Sequence, residues 1–141
     1  MDTPISILKK NTLKNTPGRI QVLDALIRSP DPLSAEDLFL DTHKVVDLST
    51  IYRILKDFEK KEIIDTISLD KNKLLYEIRH GRPHHHHIIC TKCQKVEDVE
   101  ICDMHSLSKK ILLHSQKFKS ITKHALEFFG TCNINKKKSL S

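Results

Sequence analysis

Apolar residues recur along the first half of the chain at the three- and four-residue spacing of helices buried on one side. Ile20, Leu23 and Ile27 keep that spacing, with Val22 and Leu26 beside them. Thr16-Pro17 opens this helix, with a hydroxyl to cap it and a proline at its first position, and Ser29-Pro30-Asp31-Pro32 closes it. Ser34-Ala35-Glu36-Asp37 is a second cap with an acidic residue three positions on, and Leu38 and Phe39 continue the apolar face. A third helix begins near Leu48-Ser49-Thr50. Ile51, Ile54, Leu55 and Phe58 mark one side of it, and Thr50, Tyr52, Arg53, Lys56 and Lys60 mark the other. Ile63-Ile64, Ile67 and Leu69 then read as a strand, residues 70–73 as a turn, and Leu74-Leu75-Tyr76 as the return strand.

Three short helices followed by a hairpin is the plan of a winged helix-turn-helix, in which the last helix enters the major groove and the hairpin touches backbone. Burying Ile51, Ile54, Leu55 and Phe58 leaves Ser49, Thr50, Tyr52 and Arg53 at the exposed N-terminal end of that helix. These are hydrogen-bonding side chains with one guanidinium, suited to base edges and phosphates. A small helical domain with an exposed polar face fits the same pattern.

The second half carries denser chemistry. Residues 84–93 read His-His-His-His-Ile-Ile-Cys-Thr-Lys-Cys. A strand through this run sends His84 and His86 to one face and His85 and His87 to the other, so each face offers two metal ligands. Cys90-x-x-Cys93 is the tight turn that holds zinc through two thiolates. A redox pair shares the spacing but should open a helix, whereas Gln94-Lys95-Val96-Glu97 turns into another strand. Only Cys132 answers as a further thiolate, Asn135 stands where its mate would be, and Cys102 is spare. After Val96 to Glu100, a helix starting near Asp103 places Leu107, Ile111 and His114 on one face, with Met104, Leu112 and Leu113 nearby. Residues 121–129 read as a last strand ending at Gly130.

Composition narrows the class. The chain has 141 residues, 38% hydrophobic and 5% aromatic with no Trp, so its core must be mostly Ile and Leu. No run approaches the ~18–20 apolar residues of a membrane span, and Met1-Asp2-Thr3-Pro4 is not followed by the apolar stretch of a secretory signal. The expected compartment is therefore the cytoplasm, where the four cysteines serve as metal ligands rather than disulfides. Residues 1–83 carry 14 Lys and Arg against 13 Asp and Glu, residues 84–141 carry 10 against 5, and Lys136, Lys137 and Lys138 form a basic tail. Charge alone therefore does not make this a nucleic-acid binder. Eight of nine histidines fall between His80 and His124, which divides the chain around His80-Gly81-Arg82-Pro83. No His-Glu-x-x-His motif supports a metallohydrolase, and a zinc buffer would leave the helix around Thr50 to Leu55 unexplained.

These motifs together resemble the ferric uptake regulator (Fur) family. Ser49-Thr50-Ile51-Tyr52-Arg53-Ile54-Leu55 is similar to its recognition helix, residues 84–93 to its metal-binding segment, and Thr16-Pro17-Gly18-Arg19 and Ser34 to Leu38 to its first two helices. Lys123 to Cys132 resembles its last strand. The resemblance spans residues 7–132 in order. It implies an α+β chain: a winged-helix DNA-binding domain at 1–80, a hinge at 81–83, a dimerisation and metal-binding domain at 84–135, and a basic tail at 136–141. It implies a homodimeric metal-dependent repressor of metal-uptake or homeostasis genes that binds palindromic double-stranded operator DNA, with no enzymatic or membrane role; higher assembly on DNA is left open. Carried over by position, the first metal site is His84, His86, His105 and His124. An interdomain site maps onto Glu77, His85 or His87, and Asp98, with Pro32 where relatives place a hinge histidine; it is incomplete, recruits His80 or His43, or is lost. A structural zinc site maps onto Cys90, Cys93 and Cys132, with Asn135 in place of the fourth thiolate; it takes Cys102 or water there, or the site is absent. DNA contacts map onto Arg19, Ser49, Thr50, Tyr52, Arg53 and Lys56. Zinc is the expected resident metal, and ferrous iron stands slightly ahead of zinc as the regulatory one on family frequency.

Overall fold

The structure, a computed structural model, describes residues 2–70, 72–82 and 84–133. Asn135, the tail lysines Lys136, Lys137 and Lys138, and Pro83 of the expected hinge lie outside the described residues. The chain divides into two compact units, residues 1–82 and 83–141.

The first unit contains α1 (Pro4–Lys10), α2 (Pro17–Arg28), α3 (Ala35–Asp41), α4 (Leu48–Lys60), β1 (Ile64–Asp70) and β2 (Lys73–Ile78). The caps explain the boundaries. The Thr16 hydroxyl accepts from the backbone N–H of Arg19 at 3.3 Å, with Pro17 at the first helical position. Ser34 and Asp37 form a reciprocal capping box, with the Ser34 hydroxyl accepting from Asp37 N at 3.0 Å and the Asp37 carboxylate accepting from Ser34 N at 2.9 Å. α4 is capped by Asp47, which accepts from Thr50 N at 3.2 Å.

Three helices are expected from the sequence before the hairpin, and the structure has four. α1 repeats the Thr-Pro signature of α2, with Thr3 as cap and Pro4 first. It carries only Ile7 and Leu8 as buried residues, too few for periodicity to register. Those two join Val22, Leu23, Leu26, Leu38, Ile51, Leu55, Phe58, Ile63 and Ile64 in one aliphatic core. Gly18 sits at a close approach, since a Cβ there would lie 3.3 Å from Ile54 Cδ1 and 3.7 Å from Val46 Cγ1, and Ile54 would have to shift to admit it. β1 and β2 pair antiparallel with Ile64 opposite Ile78 and Ile67 opposite Leu75, and β2 is tied to the loop before α3 by an isolated bridge between Tyr76 and Leu33.

The second unit contains β3 (His86–Cys90), β4 (Val96–Val99), α5 (Met104–Leu113) and β5 (Glu127–Gly130). The sheet order is β4-β3-β5, with β3 antiparallel to β4 and parallel to β5. A parallel neighbour requires a crossover, and α5 lies on it. The last strand is shorter than residues 121–129 predict: the chain becomes a strand only at Glu127, where it reaches its register opposite His87. Among the described residues no helix is long and apolar enough to cross a membrane. α5 buries none of its residues, and Leu107, Ile111 and Leu113 stand exposed, as do Phe128 and Phe129 of β5.

Candidate metal centres and nucleic-acid interface

β3 organises the metal chemistry, with imidazoles at its start and thiols at its end. At the start, His84 Nε2 lies 3.2 Å from His86 Nε2 and 3.1 Å from His124 Nε2. The thiol of Cys102 lies 3.7 Å from His124 Nε2, and the ligand atoms of all four residues fall within 4.8 Å of one another. Zinc–nitrogen bonds of about 2.0–2.1 Å and zinc–sulfur bonds of about 2.3 Å, set tetrahedrally, separate two nitrogens by about 3.3–3.4 Å and a nitrogen from a sulfur by about 3.5–3.6 Å. The donors present fit a tetrahedral divalent cation.

His105 is not in this cluster. It is expected as a ligand, but as the second residue of α5 its side chain is exposed, while Cys102, just before the Asp103 cap, takes the inward place. The spare cysteine is thus accounted for on the imidazole side. Its proximity to His124 was not readable from sequence because the two are 22 residues apart.

At the other end of β3, Cys90, Cys93 and Cys132 form a second group within 4.8 Å, with Cys93 Sγ 3.4 Å from Cys132 Sγ. Cys102 is not part of it. The Cys90 sulfur accepts backbone N–H bonds from Lys92 at 3.4 Å, Cys93 at 3.5 Å and Cys132 at 3.4 Å. These donors push its thiol down to about 6, the N–H of Cys93 contributing most, while the hydrogen bond to Cys93 pushes Cys132 up to about 11. Negative charge therefore gathers first on the buried Cys90. The turn is closed by Gln94 at φ 62°, in the left-handed region, whose N–H donates to Cys90 O at 2.9 Å.

His85 just before β3, His87 on it and Asp98 on β4 form a third group, with His87 Nε2 3.6 Å from Asp98 and the rings of His85 and His87 4.9 Å apart. Glu77 belongs to the first unit, on β2 opposite Asp65, where it is buried and accepts from Arg82 at 3.2 Å.

On α4 the expected DNA-contacting residues separate into two kinds. The hydroxyls of Ser49 and Thr50 donate to the Asp47 carboxylate, the latter at 2.6 Å, and Tyr52 donates to Glu36 at 3.2 Å. The Ser49 hydroxyl above all, then that of Thr50, holds the Asp47 carboxyl at about 2. Arg19 is half-buried, donating to Asp57 at 3.1 Å and to Lys14 O at 3.2 Å. Arg53 and Lys56 stand exposed on the same helix, with no ion pair to a described residue.

Comparison with known proteins agrees with this layout. The pattern described as "Ferric uptake regulator family" matches residues 10–129. A "Ferric uptake regulation protein" of Neisseria meningitidis is 33% identical over 133 residues, spanning 92% of this chain and 90% of that one. Among solved structures, the Helicobacter pylori ferric uptake regulator, which has three functional metal binding sites, is 29% identical with a TM-score of 0.75, covering 92% of this chain and 87% of that one. The regulator from Francisella tularensis, solved with iron, is 26% identical with a TM-score of 0.72, covering 88% of this chain and 95% of that one.

Proposed function

This chain belongs to the ferric uptake regulator family, whose members are transcription regulators rather than enzymes, and we propose that it is a homodimeric, metal-dependent repressor in the cytoplasm. The observation that carries the reading is the convergence of His84, His86, His124 and Cys102 at the spacing of one cation's ligands. A bound divalent cation would supply a cross-link among segments of the second unit that the chain's own apolar contacts leave loosely joined.

The residues do the rest. His84 and His86 enter β3, His124 leads into β5, and Cys102 leads into α5, so ordering all four fixes how α5 and β5 are presented. The exposed Leu107, Ile111, Leu113, Phe128 and Phe129 then form the apolar surface for a second copy. In the first unit, Arg53 and Lys56 meet operator DNA, while Ser49, Thr50 and Tyr52 first shape the start of α4 and contact DNA only through their remaining hydrogen-bonding capacity. Metal and DNA binding are linked, with a coupling of ~1–3 kcal/mol, or about 5–150-fold in DNA affinity. Iron is the regulatory metal suggested by the names of the relatives; zinc is the second reading, favoured by a donor set holding no carboxylate.

A mobility-shift titration on a palindromic duplex, selected from a random pool by the zinc- or iron-loaded protein, tests this. Binding should weaken by the stated factor when metal is chelated. A shift indifferent to chelator and to added zinc or ferrous iron overturns the reading.

A further inference from the structure

We propose that Cys102 is a ligand of the imidazole centre, standing where His105 is expected, and that its thiolate makes this centre select zinc over ferrous iron. The inference takes up the zinc reading just given, in place of iron, and rests on the assignment of that cluster as a metal centre.

Position argues first. Cys102 lies between the end of β4 at Val99 and the start of α5 at Met104, and its sulfur is 3.7 Å from His124 Nε2. That is close to the nitrogen–sulfur edge of about 3.5–3.6 Å in a tetrahedral zinc shell. The two nitrogen–nitrogen distances, 3.1 and 3.2 Å, are slightly short of the corresponding edge, so three imidazoles and one thiol outline one coordination polyhedron. His105 is exposed on α5 and outside the group.

Chemistry argues second. Without Cys102 the cluster is three neutral imidazoles, a borderline set with an open fourth position. With it, the set becomes three nitrogens and one anionic sulfur, the thiol proton leaving to solvent as the bond forms. Soft thiolate favours zinc over ferrous iron beyond the ordinary affinity order, and four ligands close the tetrahedron that zinc accepts and octahedral ions resist. The thiolate group at the other end of β3 is separate, since Cys102 is not among its members.

The test uses the full chain loaded with zinc and treated with an alkylating agent, with each cysteine followed by peptide mass spectrometry. Cys102 should be protected by zinc and react freely after chelation. In the His124→Ala variant it should react even with zinc present, while Cys90, Cys93 and Cys132 stay protected. Should that variant fail to fold, Cys102→Ser is read instead. It should bind one zinc at least about 10–100-fold more weakly, since losing a ligand costs no less than losing an outer partner of one. In the cobalt-substituted protein it should also lose part of the thiolate-to-metal absorption. Cys102→Asp should move the zinc-over-iron preference toward iron by about tenfold or more. Equal alkylation of Cys102 with and without zinc overturns the proposal, as does Cys102→Ser binding zinc like the parent or His105→Ala alone weakening it. If Cys102 is protected yet operator binding ignores metal, the ligand assignment stands and the regulator reading falls.

Discussion

Arg53 is the residue on which the DNA-binding reading can be broken. It lies on the exposed side of α4, opposite Ile51, Ile54, Leu55 and Phe58, and makes no ion pair to a described residue. Alanine matches or slightly exceeds arginine in helix propensity, so Arg53→Ala should leave stability within about 0.5 kcal/mol of the parent. Loss of a guanidinium from a base edge should cost ~1–3 kcal/mol, a factor of about 5–150, at each half-site of the selected duplex. Arg19→Ala is the comparison for stability. Its guanidinium bonds Asp57 and Lys14 O within the fold, with its side chain 20% exposed, so its loss should lower stability by about 0.5–1.5 kcal/mol. The assay is fluorescence anisotropy on the selected and a scrambled duplex at several salt concentrations, alongside urea unfolding of both variants. Equal losses on both duplexes from Arg53→Ala would reduce Arg53 to a phosphate contact. A drop in stability with unchanged DNA affinity would refute the placement of α4 in the groove.

His124→Ala should lower the melting temperature of metal-loaded protein more than Cys132→Ser does, since the imidazole group has four donors and the thiolate group three among the described residues; melts at fixed protein concentration, with metal and with chelator, decide it. Asp47, held at about 2, caps α4 as a carboxylate, so its contribution is complete above about pH 4 and lost as pH falls through about 2. The stability difference between parent and Asp47→Asn should therefore shrink from pH 4 to pH 2 in urea melts, and a constant difference would show that the charge is not what caps. Phe58→Ala, at a fully buried site on α4, should cost about 3–5 kcal/mol by urea unfolding, and less than 1.5 would mean the core around it collapses freely.

The first unit was legible because its signals are local. Thr16-Pro17, the Ser34–Asp37 box and the 51, 54, 55, 58 stripe each lie within one or two turns, and each is found where the spacing puts it. α1 escaped because Ile5, Ile7 and Leu8 within one short helix make no clear period, although Thr3-Pro4 repeats a signature read correctly at Thr16-Pro17. In the second unit the residue types were readable and their partnerships were not. His84 with His86 follows from alternation along an extended chain, but Cys102 with His124 depends on a crossover whose path the sequence does not encode locally. The family pattern pointed to His105 for the same reason: it transfers positions, while three residues of displacement at a helix start decide which side chain faces inward.

That crossover also explains why the two metal-ligand groups sit where they do. β3 and β5 run parallel with Ile88 opposite Phe128, so the chain must leave the sheet after β4 and return beside β3 in the same direction. Cys102 marks the departure and His124 the return, and both meet His84 and His86 at the entry to β3. At the far end, Cys132 follows β5 two residues past Gly130, which is paired with Cys90. An ion held by one group would thus close the loop that contains α5, and an ion held by the other would join the ends of the parallel pair. A helix that buries none of its residues against its own sheet has little else to hold it. In the proposed dimer, coupling between metal and the surface offered to a second copy would need no distant pathway, since the residues that would bind the ion are those that begin and end the segment presenting that surface.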